Sequence, residues 1–179
     1  HSIHSPVENH EVNAAATLNL LVQARAASVK RFVYVSSSEV YGTARWAPMT
    51  EAHPTFPMTV YGAAKLAGEY FCQAFSQSMG LECVGLRYFN VFGPRQDPAS
   101  QYSAVIPLFV TAVIEGKQPT VYGDGLQTRD FTFVENNVRA NILAATTRNP
   151  VAGRVMNIAC GTSFSLLDLL RIINESLGK

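Results

Sequence analysis

Two short apolar runs separated by a long helical stretch restrict this chain more than any other feature of its sequence. Arg31-Phe-Val-Tyr-Val-Ser36 and Glu82-Cys-Val-Gly-Leu-Arg-Tyr88 are rich in apolar, β-branched and aromatic residues, so both read as buried strands. Between them Thr59 can cap a helix that runs from Val60 to about Met79 and stops at Gly80. A second helical pattern precedes the first strand, from about Val7 to Ala27, with Val12, Ala15, Ala16, Leu20, Ala24 and Ala27 at three- and four-residue steps. Strands alternating with helices imply an α/β fold with a parallel sheet.

The rest of the chain is punctuated more often. Ser37 to Met58 holds three prolines and one glycine and reads as a long loop. Phe89 to Tyr102 reads as loop, broken by Gly93, Pro94 and Pro98. Ser103 can cap a helix ending near Gly116. Thr120-Val-Tyr122 and Arg129-Asp-Phe-Thr-Phe133 read as short strands around Gly123-Asp-Gly125. A helix is expected from Glu135 to Thr147 and a strand over Arg154-Val-Met-Asn-Ile158. Ser165 caps a last amphipathic helix, with Asp168 three residues on. Only two long buried strands precede Phe89, whereas a doubly wound nucleotide-binding sheet has about six. The sheet is therefore expected to be incomplete on its N-terminal side.

Composition excludes several classes. A hydrophobic fraction of 47% with only 15% charged residues is that of a globular protein. Fourteen basic against 13 acidic side chains give a net charge of +1, which offers no broad attraction to nucleic acid or an anionic membrane. The three cysteines, Cys72, Cys83 and Cys160, are widely spaced and form no Cys-x-x-Cys pair. They read as reduced thiols of a cytoplasmic protein. No apolar run approaches the length of a membrane span. The N-terminus lacks the regions of a signal peptide. It opens on His1 with no initiator methionine, so upstream sequence is expected.

Three segments suggest chemistry. Tyr61-Gly-Ala-Ala-Lys65 places a phenol and an ammonium four residues apart, on one helix face. A tyrosine has a reference pKa of about 10 and is a poor base, but a nearby positive charge favours its phenolate. Such a pair can act as a general base on a sugar hydroxyl if a cofactor accepts hydride. Alone the spacing is common and fits an ordinary surface Tyr and Lys. Upstream, Tyr34-Val-Ser-Ser-Ser-Glu-Val-Tyr-Gly42 ends a strand in a cluster of hydroxyls. Ligands of parallel sheets bind at such strand ends, although Ser36, Ser37 and Ser38 also suit a simple strand-to-loop transition. The third segment is Leu86-Arg-Tyr-Phe-Asn-Val-Phe-Gly-Pro-Arg95, where the second strand also ends in polar groups.

With these three segments the sequence resembles the extended short-chain dehydrogenase/reductase family. Within it, the UDP-sugar 4-epimerases are the nearest type, including those acting on N-acetylated sugars. The resemblance begins at Pro6-Val-Glu-Asn-His-Glu-Val-Asn13 and reaches the last helix. It is most specific from Leu86 to Pro107, through Arg95-Gln-Asp-Pro98 and Ala104-Val-Ile-Pro107. It implies an incomplete Rossmann-like doubly wound parallel sheet with part of a small C-terminal substrate domain. Residues 1–90 would be the later part of the NAD-binding domain. Residues 91–179 would be a mixed substrate-binding region with returning elements of the sheet.

The roles that the resemblance implies are these. Tyr61 is the base, and Lys65 tunes it and bonds the nicotinamide ribose. Ser37, four residues before Tyr41, bonds the sugar hydroxyl being oxidised. Asn13, Ser36 and Tyr88 occupy cofactor-side positions together with Tyr61 and Lys65. Ser38, Asn90 and Arg129 are on the substrate side, the last two at the diphosphate of UDP. Guanidinium suits phosphate oxygens, though an ion pair with Asp130 is an equally ordinary role for Arg129. Ala104, Val105, Thr120 and Tyr122 lie where the family holds the uridine; by default each is core or surface strand. No metal is implied. NAD would be a bound cofactor regenerated in each cycle, and its positive charge would join that of Lys65 beside the phenol. The substrate would be a UDP-sugar and the assembly a homodimer, with no nucleic acid or membrane partner.

The chain also departs from the family. Its Gly-x-x-Gly-x-x-Gly loop and following acidic residue have no counterpart between His1 and Lys30. These glycines bring backbone close to the pyrophosphate, so the chain by itself is expected to bind NAD poorly and to be inactive. Thr59-Val60 replaces Ser-Pro before Tyr61, and Glu135-Asn136-Asn137 replaces an acidic residue followed by an apolar one. Two rival readings stand beside the epimerase. Ser37-Ser38-Glu39 fits the hydroxyl and acid of a 4,6-dehydratase or a UDP-glucuronate decarboxylase. The missing glycines fit a non-catalytic nucleotide-sugar binder.

Overall fold

The computed structural model describes residues 2–100 and 104–179. It divides into two compact units, His1–Phe89 with Asn136–Ile158, and Asn90–Glu135 with Ala159–Lys179.

The first unit is built on a three-stranded parallel sheet. Its strands are β1 (Arg31–Ser37), β2 (Glu82–Tyr88) and β6 (Arg154–Ile158), with β2 in the middle. Ser37 pairs with Tyr88, and Tyr88 with Ile158, so the three carboxyl ends are level. Helices cover both faces, as the doubly wound reading requires. On one face Tyr34 and Cys83 pack with Leu21 of α2 (Ala16–Ala26) and with Cys72 and Phe75 of α3 (Val60–Ser78). On the other, Val84 and Leu86 pack with Ala144 of α5 (Val134–Thr146) and with Val151. The sheet is an incomplete Rossmann-type sheet.

The approach of α3 to β1 depends on Gly68. A Cβ built there would lie 2.3 Å from the Tyr34 hydroxyl oxygen, so only glycine lets this helix sit against the ring. At its N-terminus α3 is capped by Thr59, whose hydroxyl accepts the Gly62 N–H at 3.0 Å. Thr59→Ala is expected to cost about 1 kcal/mol of stability, measured as a lower urea midpoint of the first unit. An unchanged midpoint would show that the cap is idle.

The N-terminal helical stretch is not one regular α-helix. A π-helical turn, Glu11–Ala15, lies between α1 (Pro6–His10) and α2. Asn13 sits in this turn and donates to Asn9 O at 3.1 Å. π-turns of this kind are often found at functional sites.

The second unit holds two small sheets. β3 (Asn90–Phe92) pairs in parallel with β5 (Phe131–Phe133), and β4 (Thr128–Arg129) pairs antiparallel with β7 (Phe164–Ser165). β3 corrects the expectation of loop from Phe89 onward. The expected strand Thr120–Tyr122 is not formed: Thr120 and Tyr122 are exposed and lack a ladder partner among the described residues. Ser103 lies outside the described residues; α4 (Val105–Ile114) starts after Ala104 with no side-chain cap. Ser165 opens α6 (Leu166–Ser176) in a full capping box with Asp168. Phe109 and Val113 of α4 pack with Leu169 and Ile173 of α6 as the core of this unit.

No helix among the described residues is long and apolar enough to cross a membrane. None of their His, Cys, Asp and Glu side chains cluster as a metal site.

Candidate active site

In the first unit, the carboxyl end of β1 brings Ser37 to the start of α3. Ser37 then caps a short 3-10 turn, Ser38–Val40, by accepting the Glu39 N–H at 3.2 Å. Tyr61 is in the first turn of α3 and Lys65 in the next. Lys65 Nζ lies 5.7 Å from the Tyr61 ring centroid and 5.4 Å from that of Tyr34. It donates to Val35 O at 3.1 Å.

Burial is the largest influence on both groups. Burial pushes the Tyr61 phenol above its ordinary value; a hydrogen bond with Ser37 pulls it down, and the Glu39 charge adds to the rise. Burial also lowers the Lys65 ammonium. Ser37 thus favours the Tyr61 phenolate, and Lys65, beside the same ring, also donates to the backbone of β1. Tyr34 is driven up by burial as well, with the Tyr61 charge adding to its rise.

The other cofactor-side residues fall in different surroundings. Ser36 alternates to the opposite side of β1 from Ser37, is buried, and donates its hydroxyl to Glu69 Oε1 at 2.5 Å. Only its backbone is left to serve a ligand. The Tyr88 hydroxyl is hydrogen-bonded by the Asn141 side-chain amide of α5. Near Asn13, the side-chain oxygen of Asn9 is buried without a hydrogen-bond partner. Ser38 is half-buried in the 3-10 turn, where its carbonyl accepts the Tyr41 N–H at 3.0 Å.

In the second unit, a cavity of ≈ 250 Å³ collects four of the expected substrate residues, Asn90, Ala104, Val105 and Arg129, together with Gln127 and Phe131. Asp130 does not pair with Arg129. Its two carboxylate oxygens accept the backbone N–H groups of Cys160 at 2.9 Å and Gly161 at 2.7 Å. Arg129 donates to Thr128 O at 2.8 Å and makes no ion pair among the described residues. A cavity with an unpaired guanidinium, a side-chain amide at Asn90 and an aromatic wall suits an anionic ligand with a flat ring. Thr120 and Tyr122 do not line it, and Tyr122 is 80% exposed, with its carbonyl bonded by Gln127 Nε2 at 3.0 Å. Gln127 was not singled out in the sequence, where a lone glutamine in a Gly-rich stretch carries no signal.

Residues 1–159 match the model of a family described as "NAD dependent epimerase/dehydratase family". The chain is 34% identical over 178 residues to a putative UDP-glucose 4-epimerase of Methanocaldococcus jannaschii, covering 99% of this chain and 57% of that protein. It is similar in structure to a UDP-N-acetylglucosamine 4-epimerase from Methanobrevibacter ruminantium M1 in complex with UDP-N-acetylmuramic acid. There the TM-score is 0.94 and the identity 39%, with 99% of this chain and 56% of that one covered. A dTDP-glucose 4,6-dehydratase from Streptomyces venezuelae, solved with NAD bound, matches at a TM-score of 0.83 and 31% identity, over 99% and 54% of the two chains. The chain thus spans about half the length of the relatives it matches.

Proposed function

This chain belongs to the NAD dependent epimerase/dehydratase family, and from that premise we propose that the whole protein inverts the C4 hydroxyl of a UDP-hexose through a transient 4-keto sugar. NAD is the cofactor of the family, and residues of this chain fit its nicotinamide end. Tyr61 and Lys65 are half-buried donors one helical turn apart at the carboxyl end of β1, where parallel sheets receive ligands. The buried, unpartnered Asn9 oxygen beside Asn13 is a further acceptor on the same unit.

The observation that carries the proposal is the convergence of Ser37, Tyr61 and Lys65 at the carboxyl end of β1, with Lys65 Nζ 5.7 Å from the Tyr61 ring. Oxidised NAD would supply the hydride acceptor and a positive charge beside the phenol. Ser37 holds the sugar hydroxyl in line with Tyr61. Tyr61, as phenolate, takes the C4 hydroxyl proton and returns it once the keto sugar has turned over. Ser37 and Lys65 both favour the charged phenol, the first by hydrogen bonding and the second by its charge. Asn90 and Arg129 hold the diphosphate; Ala104, Val105 and the Phe131 ring wall the nucleoside. On this reading residues 1–90 serve the cofactor and the proton transfer, and residues 91–179 chiefly serve the sugar nucleotide. The protein is a cytoplasmic homodimer; Cys72 and Cys83, buried and outside any disulfide, accord with a reducing compartment.

A second reading has one observation in its favour. Glu39 is close enough for its charge to raise the Tyr61 phenol, and a carboxylate there could remove the C5 proton of the oxidised sugar, as 4,6-elimination requires. One assay separates the two. The full-length protein with NAD is given UDP-glucose or UDP-N-acetylglucosamine in deuterated water, and products are read by NMR. Inversion at C4 with hydrogen retained at C5 is expected. Deuterium at C5 with loss of the 6-hydroxyl would replace the epimerase reading by the dehydratase.

A further inference from the structure

The segment that carries Ser37 is held at both ends by one buried ion pair. Glu69 and Arg87 are 6% and 5% exposed. Arg87 Nε donates to Glu69 Oε1 at 2.9 Å and its Nη2 to Oε2 at 2.7 Å, a two-pronged pair. Immediately before Ser37, the Ser36 hydroxyl donates to the same Glu69 Oε1. Immediately after the Ser38–Val40 turn, the Tyr41 hydroxyl accepts from Arg87 Nη1 at 2.8 Å and donates to Asn157 Oδ1 at 2.6 Å. Asn157 extends the chain into the following loop, donating from Nδ2 to Met49 O at 2.9 Å and from its backbone N–H to Glu51 at 2.8 Å.

Glu69 stands on α3 itself. It is four residues beyond Lys65 and eight beyond Tyr61, so successive turns of one helix carry the phenol, the ammonium and the carboxylate. One ion pair therefore joins the helix of Tyr61 to both flanks of the turn that bears Ser37 and Glu39. A buried pair is weak as a source of stability, because desolvation offsets much of its attraction. What this pair does supply is geometry: Glu69 reaches Ser36 of β1, and Arg87 reaches Tyr41 just past the 3-10 turn.

We propose that Glu69 and Arg87 are positioning residues for the Ser37–Tyr61 pair, acting through Ser36 on one side of the turn and Tyr41 on the other. The inference rests on the reading of Tyr61 as the base. Proton transfer needs heavy atoms within hydrogen-bond reach, and a misplacement of about 1 Å can cost about 100-fold in rate. Loosening the ties should let Ser37 drift from the Tyr61 hydroxyl without touching the sugar-nucleotide cavity.

The test uses the full-length protein and two variants. Tyr41→Phe keeps the ring that meets His53 edge-on at 5.4 Å but removes the bridging hydroxyl. Glu69→Gln with Arg87→Met removes both charges together. Each is assayed for kcat and KM with UDP-glucose, and the Tyr61 phenol is titrated by NMR of ring-labelled tyrosine, assigned with Tyr61→Phe. The groups facing that phenol, Ser37, Glu39, Lys65 and Tyr34, are unaltered in both. We expect kcat to fall about 10-fold in the double variant and about 3-fold in Tyr41→Phe, at constant KM. In both, Tyr61 should titrate at higher pH than in the parent. A folded variant in which Tyr61 titrates as in the parent overturns the proposal, whatever happens to its melting temperature. If the double variant does not fold, Tyr41→Phe decides alone. A shifted titration in a protein whose parent form leaves UDP-glucose unchanged upholds the positioning role and overturns the assigned reaction instead.

Discussion

Replacing Tyr61 by Phe is expected to lower kcat for C4 inversion by about 10²–10⁴-fold, the usual worth of a positioned general base. The substitution removes one oxygen and leaves the ring that Lys65 approaches at 5.7 Å, so helix α3 and the second-unit cavity should be untouched and KM should hold. The pH dependence follows from the same group. Burial raises the Tyr61 phenol, and the working form is the phenolate. The rate of the parent protein should therefore climb as pH rises toward the phenol's pKa. That climb should vanish in the residual activity of Tyr61→Phe. Steady-state kinetics across pH on both proteins checks it. A variant that keeps more than about a tenth of the parent kcat would remove Tyr61 from the role of base.

Arg87→Met alone should destabilise the first unit by about 3–5 kcal/mol, because it leaves the Glu69 carboxylate buried without its partner. Glu69 sits at 6% exposure and would keep only Ser36 as a donor. Adding Glu69→Gln to that variant removes the stranded charge, and most of the loss should be recovered. The two changes are thus strongly non-additive, as expected for neighbours that share one network. Urea denaturation of the parent, the single variants and the double variant closes the cycle. Equal destabilisation of the single and double variants would mean that the pair contributes by packing and not by charge.

Most of the sheet in the first unit was readable because its strands announce themselves. Arg31–Ser37, Glu82–Tyr88 and Arg154–Ile158 are apolar runs between turn-forming residues, and Thr59 and Ser165 mark helix starts by their side chains. β3 was not readable, since its three residues gain strand character only from β5, some forty residues later. Thr120–Tyr122 failed for the opposite reason: it has β-prone side chains but no partner strand among the described residues. The π-turn around Asn13 leaves no trace in a three- and four-residue pattern.

At the site, Asn90, Ala104 and Val105 fall in the most specific segment, Leu86 to Pro107, and the structure gathers them with Arg129 in one cavity. Ser36 differs from its neighbour in where its hydroxyl lies. It adjoins Ser37, but the two-residue alternation of a strand turns its hydroxyl to the other face. The Glu69–Arg87 pair did have a signal. A charged residue inside the apolar run Glu82–Tyr88 requires a buried partner, but nothing local says which acid supplies it.

The sheet of the first unit leaves β1 as an outer strand, bordered by β2 on one side only among the described residues. Val35 of this strand is 39% exposed, and its carbonyl is engaged by the side chain of Lys65. The Lys65 tie therefore fastens α3 to the strand that carries Ser37, so phenol, ammonium and strand end shift together or not at all.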